Sequence, residues 1–349
     1  MGNITTTTQQ LDQIIKESNS IFIACHSSPD VDAMGSLLAL RQILLTHYKV
    51  KDVRIFAESM SAMLSFLPGI SSVNTHGLFK TLMHERPDAL IFLDFNMWHM
   101  VSPRFSEQIK QSAFEYQIPT IVIDHHPVEI KNIESTLFIN REDSSTAQTL
   151  FRVFHDELDL PLTADIANCL LAGILSDTER FKYHHPSLEY TFSTMPKLLT
   201  SATFTIQDLT EIMTTYPAYG VKSLEVFLSN MVCDEDGLTY AVIHDHDVIR
   251  HELKKPAISV AAKFVMSHIM LAIDSSKWGF VMYPYLNEVG KYTVSFRSKT
   301  DEFSARLAAE QLGGGGHDKA SAVRISADDS EKALQKVLEA LKPLRNPQS

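Results

Sequence analysis

Short runs rich in β-branched residues alternate with segments of helical spacing through the first half of the chain. IFIAC (21–25), VRIFAE (53–58), LIFLD (90–94), TIVID (120–124) and TLFIN (136–140) read as strands. Between them, segments such as MGSLLALRQILLTHY place apolar residues at helical spacing, and TADIANCLLAGILSDTERF (163–181) reads as a helix ending near Asp177. Strands that alternate with helices form βαβ units, so this half predicts a mostly parallel, Rossmann-like α/β sheet covered on both faces. Ser145 with Gln148 has the spacing of a capping box opening a helix over STAQTLFRVFHDEL.

After about residue 190 the pattern changes. Residues 191–215 read as short helices with a linking role. LTYAVIHDH, GFVMYPYL, YTVSFRSK and SAVRIS then have strand character, interleaved with helical patterns at 257–273, 301–312 and 328–342. This predicts a smaller α+β domain over 216–349 beside a first domain over 1–190, as a chain of 349 residues requires. HDHD (244–247) lies between two strand-like runs and reads as a polar hairpin turn. ISVAAKFVMSHIMLAI is broken by Lys263, Ser267 and His268, so it reads as a core helix, and no membrane span is expected.

Composition narrows the class. MGNITTTTQQ has no apolar signal segment, so a cytoplasmic protein is expected; the myristoylation-like Gly2 and the sequon at Asn3 are patterns too short to assign. Cys25, Cys169 and Cys233 are far apart and flanked by apolar residues, which predicts reduced core thiols. A formal net charge of −11 argues against long nucleic acid as a partner, because a broad phosphate footprint needs clustered Lys and Arg. It leaves room for a short phosphorylated substrate.

The candidate chemistry falls at strand ends. His26 follows IFIAC and leads into Asp30 and Asp32, Asp94 ends LIFLD, and Asp124-His125-His126 ends TIVID. In an open α/β sheet those ends form the ligand-binding edge. With Asp177, the residues His26, Asp30, Asp32, Asp94 and His125 give six nitrogen and oxygen ligands, enough for two Mn²⁺ ions, or Mg²⁺, if one or two carboxylates bridge. Such a pair favours phosphoester hydrolysis by an activated water. Trp98 and Phe95 read as core aromatics rather than stacking platforms.

HSSPDVDAMGS, LDFN, IDHHP and GILSDTERF resemble the four motifs of the DHH phosphoesterase superfamily, and VSFRSKTDEFSARLAAEQLGGGGHDKASAV resembles its companion DHHA1 domain. The likeness runs over nearly the whole chain and points to the nanoRNase and pAp-phosphatase group. It implies that His26 and Asp30 bind one metal, Asp32 and His125 the other, and that Asp94 and Asp177 bridge. His126 would face the scissile phosphate as charge stabiliser or proton donor, and Asp124 would orient a histidine. Gly314, Gly315, Gly316 and His317 would grip a terminal nucleotide, with Arg297 and Ser298 of the FRS segment. The basic residue often found six positions after the second-motif aspartate is absent, leaving His99 and Arg104 as candidates.

The function expected is hydrolysis of short 5′-phosphorylated oligonucleotides or linear dinucleotides to 5′-mononucleotides, with the two domains measuring substrate length. A homodimer is the ordinary expectation for a soluble enzyme. A family II inorganic pyrophosphatase shares the N-terminal motifs but lacks the glycine signature. A nucleotide-sensing module with a degenerate site is disfavoured by the complete ligand set.

Overall fold

The computed structural model describes residues 5–75, 77–95, 97–126, 135–182, 185–316 and 318–345. Gly2, Asn3, His184 and His317 lie outside these residues. The chain divides into two compact units, residues 1–214 and 215–349.

In the first unit, strands β1 (Ser20–Cys25), β2 (Asp52–Ala57), β3 (Val73–Thr75), β4 (Ala89–Leu93), β5 (Thr120–Asp124) and β6 (Leu137–Asn140) form one sheet in the order β3-β2-β1-β4-β5-β6. Every pairing is parallel. This is a doubly wound order whose direction reverses between β1 and β4, the switch point where a crevice opens beyond the strand ends. The helices are α1 (Thr6–Glu17), α2 (Val31–Ile43), α3 (Leu78–His84), α4 (Ser106–Glu115), α5 (Thr146–Leu150), α6 (Ala164–Asp177), α7 (Leu188–Ser201) and α8 (Ile206–Thr214).

Alternating strand residues feed two cores. Ile21, Ile23 and Ile91 face α2, α5 and α6, while Phe22, Ala24, Phe56 and Phe92 face α3 and α4. The segment 191–215 is helical, and its Met195, Leu198 and Leu209 are buried in the first core, so it forms part of this unit. Phe95 and Trp98 are buried in the second core.

Helices α2, α5 and α6 meet at two glycines. A Cβ on Gly35 would lie 2.6 Å from the Cys169 carbonyl oxygen, and one on Gly173 would lie 2.6 Å from both the Ala147 Cβ and Asp32 Oδ1. Overpacking of this kind costs about 1–3 kcal/mol. Gly173→Ala is expected to lower the melting temperature and, by displacing Asp32, to weaken divalent-cation binding; thermal denaturation with and without Mn²⁺ measures both.

The second unit carries α9 (Val221–Ser229), β7 (Met231–Cys233), β8 (Leu238–Val242), α10 (Asp245–Arg250), α11 (Lys255–Phe264), β9 (Trp278–Pro284), β10 (Lys291–Ser298), α12 (Ala305–Glu310), β11 (Gly315–Gly316), β12 (Ala320–Ser326) and α13 (Ser330–Arg345). Its sheet order is β11-β12-β10-β9-β8-β7, parallel only between β8 and β9. Ile258, Ala261, Ala262, Val265, Met266 and Met270 of the apolar stretch are buried in its core. Among the described residues no helix is long and apolar enough to cross a membrane.

Two expectations are corrected here. HDHD is not a hairpin turn but the start of α10: the Asp247 carboxylate accepts the His244 backbone N–H at 2.9 Å, and Asp245 accepts the Tyr292 hydroxyl at 2.7 Å and the Ser330 N–H at 2.8 Å. The parallel β8–β9 pair needs a crossover, which α10 and α11 supply. Cys233 is exposed at the sheet edge rather than buried with Cys25 and Cys169.

Candidate active site

The edge beyond the strands gathers the charged groups. The β1–α2 loop delivers His26 and Asp30, and Asp32 lies in the first turn of α2. Asp30 caps that helix, its Oδ1 accepting the Ala33 N–H at 3.0 Å. Asp94 follows β4 with φ of +64°, left-handed backbone that among residues other than glycine is taken up most readily by aspartate and asparagine. Asp124 ends β5, His125 and His126 follow it, and Asp177 is the last residue of α6.

Their ligand atoms converge in groups. His26, Asp30 and Asp94 offer atoms within 4.8 Å of one another, and so do Asp32, His125 and Asp177. Asp94 also groups with His125 and His126. His26 Nε2 lies 3.5 Å from Asp94 Oδ2, while His125 Nε2 lies 3.6 Å from Asp94 Oδ1 and 3.1 Å from Asp177 Oδ2. Asp94 therefore groups with His26 and Asp30 and also lies beside His125, while Asp177 groups with Asp32 and His125.

Hydrogen bonds from α5 fix this arrangement. The Thr146 and Ala147 backbone N–H groups donate to the two oxygens of the fully buried Asp32 at 2.7 and 3.0 Å. The Thr146 hydroxyl donates to Asp94 Oδ1 at 2.9 Å. The His125 Nδ1 lies 3.3 Å from the Asp143 carbonyl oxygen, and donation there directs Nε2 at the carboxylates. The Ser145 cap is as expected, accepting the Gln148 N–H at 3.0 Å, but the Gln148 side chain instead accepts the Thr191 hydroxyl at 2.7 Å. The sequence signalled a helix start at 145 and nothing more; that this start faces Asp32 and Asp94 depends on the packing of α5 against α2.

The electrostatics describe a site that wants a cation. Burial, then Asp94 and Asp177, push the Asp30 carboxyl up, and burial with Asp177 and Asp94 pushes Asp32 up further. Burial opposes charge on Asp94 too, but the His26 hydrogen bond and the surrounding imidazoles hold it below the usual range. Burial disfavours a charged His125, yet Asp177, Asp32 and Asp94 raise it to about 10. Its buried Nε2 makes no well-aligned hydrogen bond, as suits a ligand atom. This oxygen-rich set with a minority of imidazoles fits a hard or borderline divalent cation.

Protons stand in for that cation. His125, raised from its ordinary 6.5, stabilises the metal-free fold fully below that value, and this contribution is lost as pH rises through about 10. The raised Asp30 and Asp32 act in the same direction. The metal-free melting temperature is thus expected to fall between pH 7 and 10, and Mn²⁺ to remove the fall while releasing protons. Calorimetric titration in buffers of different ionisation enthalpy counts those protons.

His126 stands apart. Its side chain is 45% exposed, against 12% for His125, and its Nδ1 donates to Asp124 Oδ1 at 2.8 Å, a pairing that raises its pKa. Thr146→Val, which removes one hydroxyl, is expected to weaken Mn²⁺ binding by about 10–100-fold, as loss of ligand-orienting groups does, while Thr146→Ser retains affinity; calorimetric titration reads both.

The remaining predicted residues lie elsewhere. Arg297, Gly315 and Gly316 line a cavity of about 370 Å³ in the second unit, with Lys263, Ser295 and Ser321. Arg297 donates to the Phe296 carbonyl at 2.9 Å and pairs with no carboxylate among the described residues; burial lowers its pKa. Ser298 is buried, its hydroxyl donating to the Thr300 carbonyl at 2.7 Å, and does not line this cavity. Gly314 and Gly316 serve close packing, since added Cβ atoms would lie 2.5 Å from the Val323 Cβ and 2.7 Å from the Ser321 Cα. At Gly315 an added Cβ would meet nothing within 4 Å. Arg104 falls in none of the ligand groups and lines a separate cavity.

An open parallel sheet with acids and imidazoles at its switch point, followed by a mixed-sheet unit whose Arg297 pairs with no carboxylate among the described residues, defines a two-unit α/β protein with candidate cation-binding groups. The chain matches the DHH family, N-terminal domain, over residues 20–174 and the DHHA1 domain over residues 240–343. It belongs to the DHH/DHHA1 superfamily, whose related members are hydrolases of phosphoester bonds. The “Probable bifunctional oligoribonuclease and PAP phosphatase NrnA” of Streptococcus mutans is 25% identical over 336 residues, covering 94% of this chain and 97% of that protein. The cyclic-di-AMP phosphodiesterase PdeA of Listeria monocytogenes is 24% identical over 345 residues, 95% of this chain but 49% of that protein, so the chain spans about half of that relative's length. The crystal structure of an exopolyphosphatase-related protein from Bacteroides fragilis shares the fold, with a TM-score of 0.83 at 22% identity over 98% of this chain and 97% of that one.

Proposed function

We propose that the protein is a Mn²⁺-dependent phosphodiesterase that hydrolyses short 5′-phosphorylated oligonucleotides or linear dinucleotides to 5′-mononucleotides. The observation that carries this reading is the pair of three-residue ligand groups flanking Asp94. Two divalent cations held there would acidify a water and neutralise charge developing on the phosphoryl oxygens. His26, Asp30 and Asp94 would hold one position, and Asp32, His125 and Asp177, with Asp94 beside them, would hold the other. Asp124 fixes the Nδ1–H of His126, which leaves Nε2 to deliver a proton to the departing oxygen.

The Arg297 cavity favours a nucleotide over pyrophosphate. An unpaired, partly buried guanidinium calls for an anion, and the open space over Gly315 admits a nucleotide's phosphate against the backbone. In this reading the second unit holds a terminal phosphate at Arg297 and the Gly315 backbone.

A Mn²⁺ assay across 5′-phosphorylated chains from dinucleotide to 24-mer, with phosphoadenosine phosphate and pyrophosphate as further arms, tests it. Turnover should be fastest on the shortest chains and fall with each added nucleotide. Equal rates on the 24-mer and the dinucleotide would remove the length selectivity, and phosphate release from pyrophosphate alone would transfer the chain to the pyrophosphatase reading.

A further inference from the structure

A second cavity, of about 440 Å³, opens in the first unit at the carboxyl ends of β1 and β2, and no role has been given to it. Its floor includes Ala24, a small residue on a sheet face otherwise built from Phe22, Phe56 and Phe92. Ala24 carries one methyl where its neighbours Phe22, Phe56 and Phe92 carry rings, which leaves room beside it. Phe79 and Phe105, stacked with centroids 5.1 Å apart and planes 19° from parallel, line the cavity too.

The polar groups of this cavity are few. Lys80 and Arg104 are exposed lining residues and form no ion pair among the described residues, although the chain carries a net charge of −11. The Arg104 guanidinium lies over the Phe105 ring, 5.0 Å from its centroid, so a cation without a carboxylate partner stands at the aromatic wall, and with Lys80 it selects a ligand that is both ring-bearing and anionic. The third group, Glu58, has its carboxylate held by the Ser102 hydroxyl, and Ser102 in turn accepts the Phe105 backbone N–H at 3.1 Å. A fixed acceptor at the mouth of this cavity suits an exocyclic amine.

We propose that this cavity is a nucleotide subsite: the base enters over Ala24 beside Phe79 and Phe105, its amine donates to Glu58, and Lys80 and Arg104 hold a phosphate. Because Cys25, a lining residue, directly precedes His26, the subsite adjoins the candidate metal edge. The inference deepens the proposed function and rests on it for the identity of the substrate. It places base selection at Glu58 and gives Arg104 its part in holding substrate.

The test uses the full chain stripped of divalent cations, with Arg297→Ala as background so that the other cavity does not report. Equilibrium dialysis measures binding of AMP, UMP and ribose 5-phosphate, while Mn²⁺-dependent hydrolysis of a dinucleotide is followed separately in the chain with Arg297 intact. AMP is expected to bind at least tenfold more tightly than ribose 5-phosphate, and Lys80→Ala with Arg104→Ala to weaken AMP at least tenfold. Both positions are exposed, so these variants should stay folded. Glu58→Gln is expected to level the preference for AMP over UMP. Unchanged AMP binding in the double variant, or ribose 5-phosphate binding as tightly as AMP, overturns the subsite even if hydrolysis proceeds. Specific AMP binding without any hydrolysis leaves the subsite standing and removes the catalytic reading instead.

Discussion

Replacing Asp94 by asparagine is expected to abolish metal-dependent turnover and leave the chain folded. Among the described residues Asp94 is the carboxylate that groups with His26 and Asp30 and also with His125, lying 3.5 Å from His26 and 3.6 Å from His125. Its amide would keep the shape but lose the charge that opposes two cations. Asparagine also tolerates the left-handed backbone at φ +64° better than other side chains, so the turn after β4 should survive. The loss should be on the order of 10²–10³ or more in kcat, the scale on which a single charge-stabilising group acts. Calorimetry should show Mn²⁺ binding reduced at both positions. Turnover within a few-fold of the parent would refute the shared-ligand role.

The second large effect is at His126. If its Nε2 protonates the leaving oxygen, His126→Ala should lower kcat on dinucleotides by roughly 10²–10⁴, the usual contribution of general acid catalysis. A nucleoside 5′-(p-nitrophenyl phosphate) carries a leaving group that needs no proton, so on this substrate the variant should recover most of the lost rate. Equal losses on both substrates would point to charge stabilisation instead. Asp124→Asn should fall between parent and His126→Ala, because Asp124 acts only by holding Nδ1–H at 2.8 Å and raising the imidazole pKa.

Much of the site was legible along the chain. All six ligand candidates, His26, Asp30, Asp32, Asp94, His125 and Asp177, meet at one sheet edge, because each follows an apolar run whose end is a sheet edge or a helix end. The divided role among them was less legible. Residues far apart in sequence, such as Asp177 and His125, carry no local sign of which group they join. The structure places Asp177 with Asp32 and His125, and Asp94 with His26 and Asp30 and with His125 and His126.

Other residues could not be read this way. Thr146 looked like an ordinary first-turn threonine, yet its N–H and hydroxyl hold Asp32 and Asp94. The HDHD run looked like a turn because its neighbours are strands; a parallel β8–β9 pair made it a helix start. Ser298 and Arg297 are adjacent in β10, and the alternation of a strand sends the arginine to the cavity and buries the serine.

The sequence alone determined the alternation of strands and helices in the first half, the parallel first sheet and the candidate groups for holding cations. These follow from local periodicity and from which residues end each apolar run. Tertiary structure decided which candidate ligand groups come together, which backbone amides fix the carboxylates, and where the second cavity lies. Those are contacts between segments far apart in the chain, set by how helices close over a twisted sheet, and no local pattern encodes them.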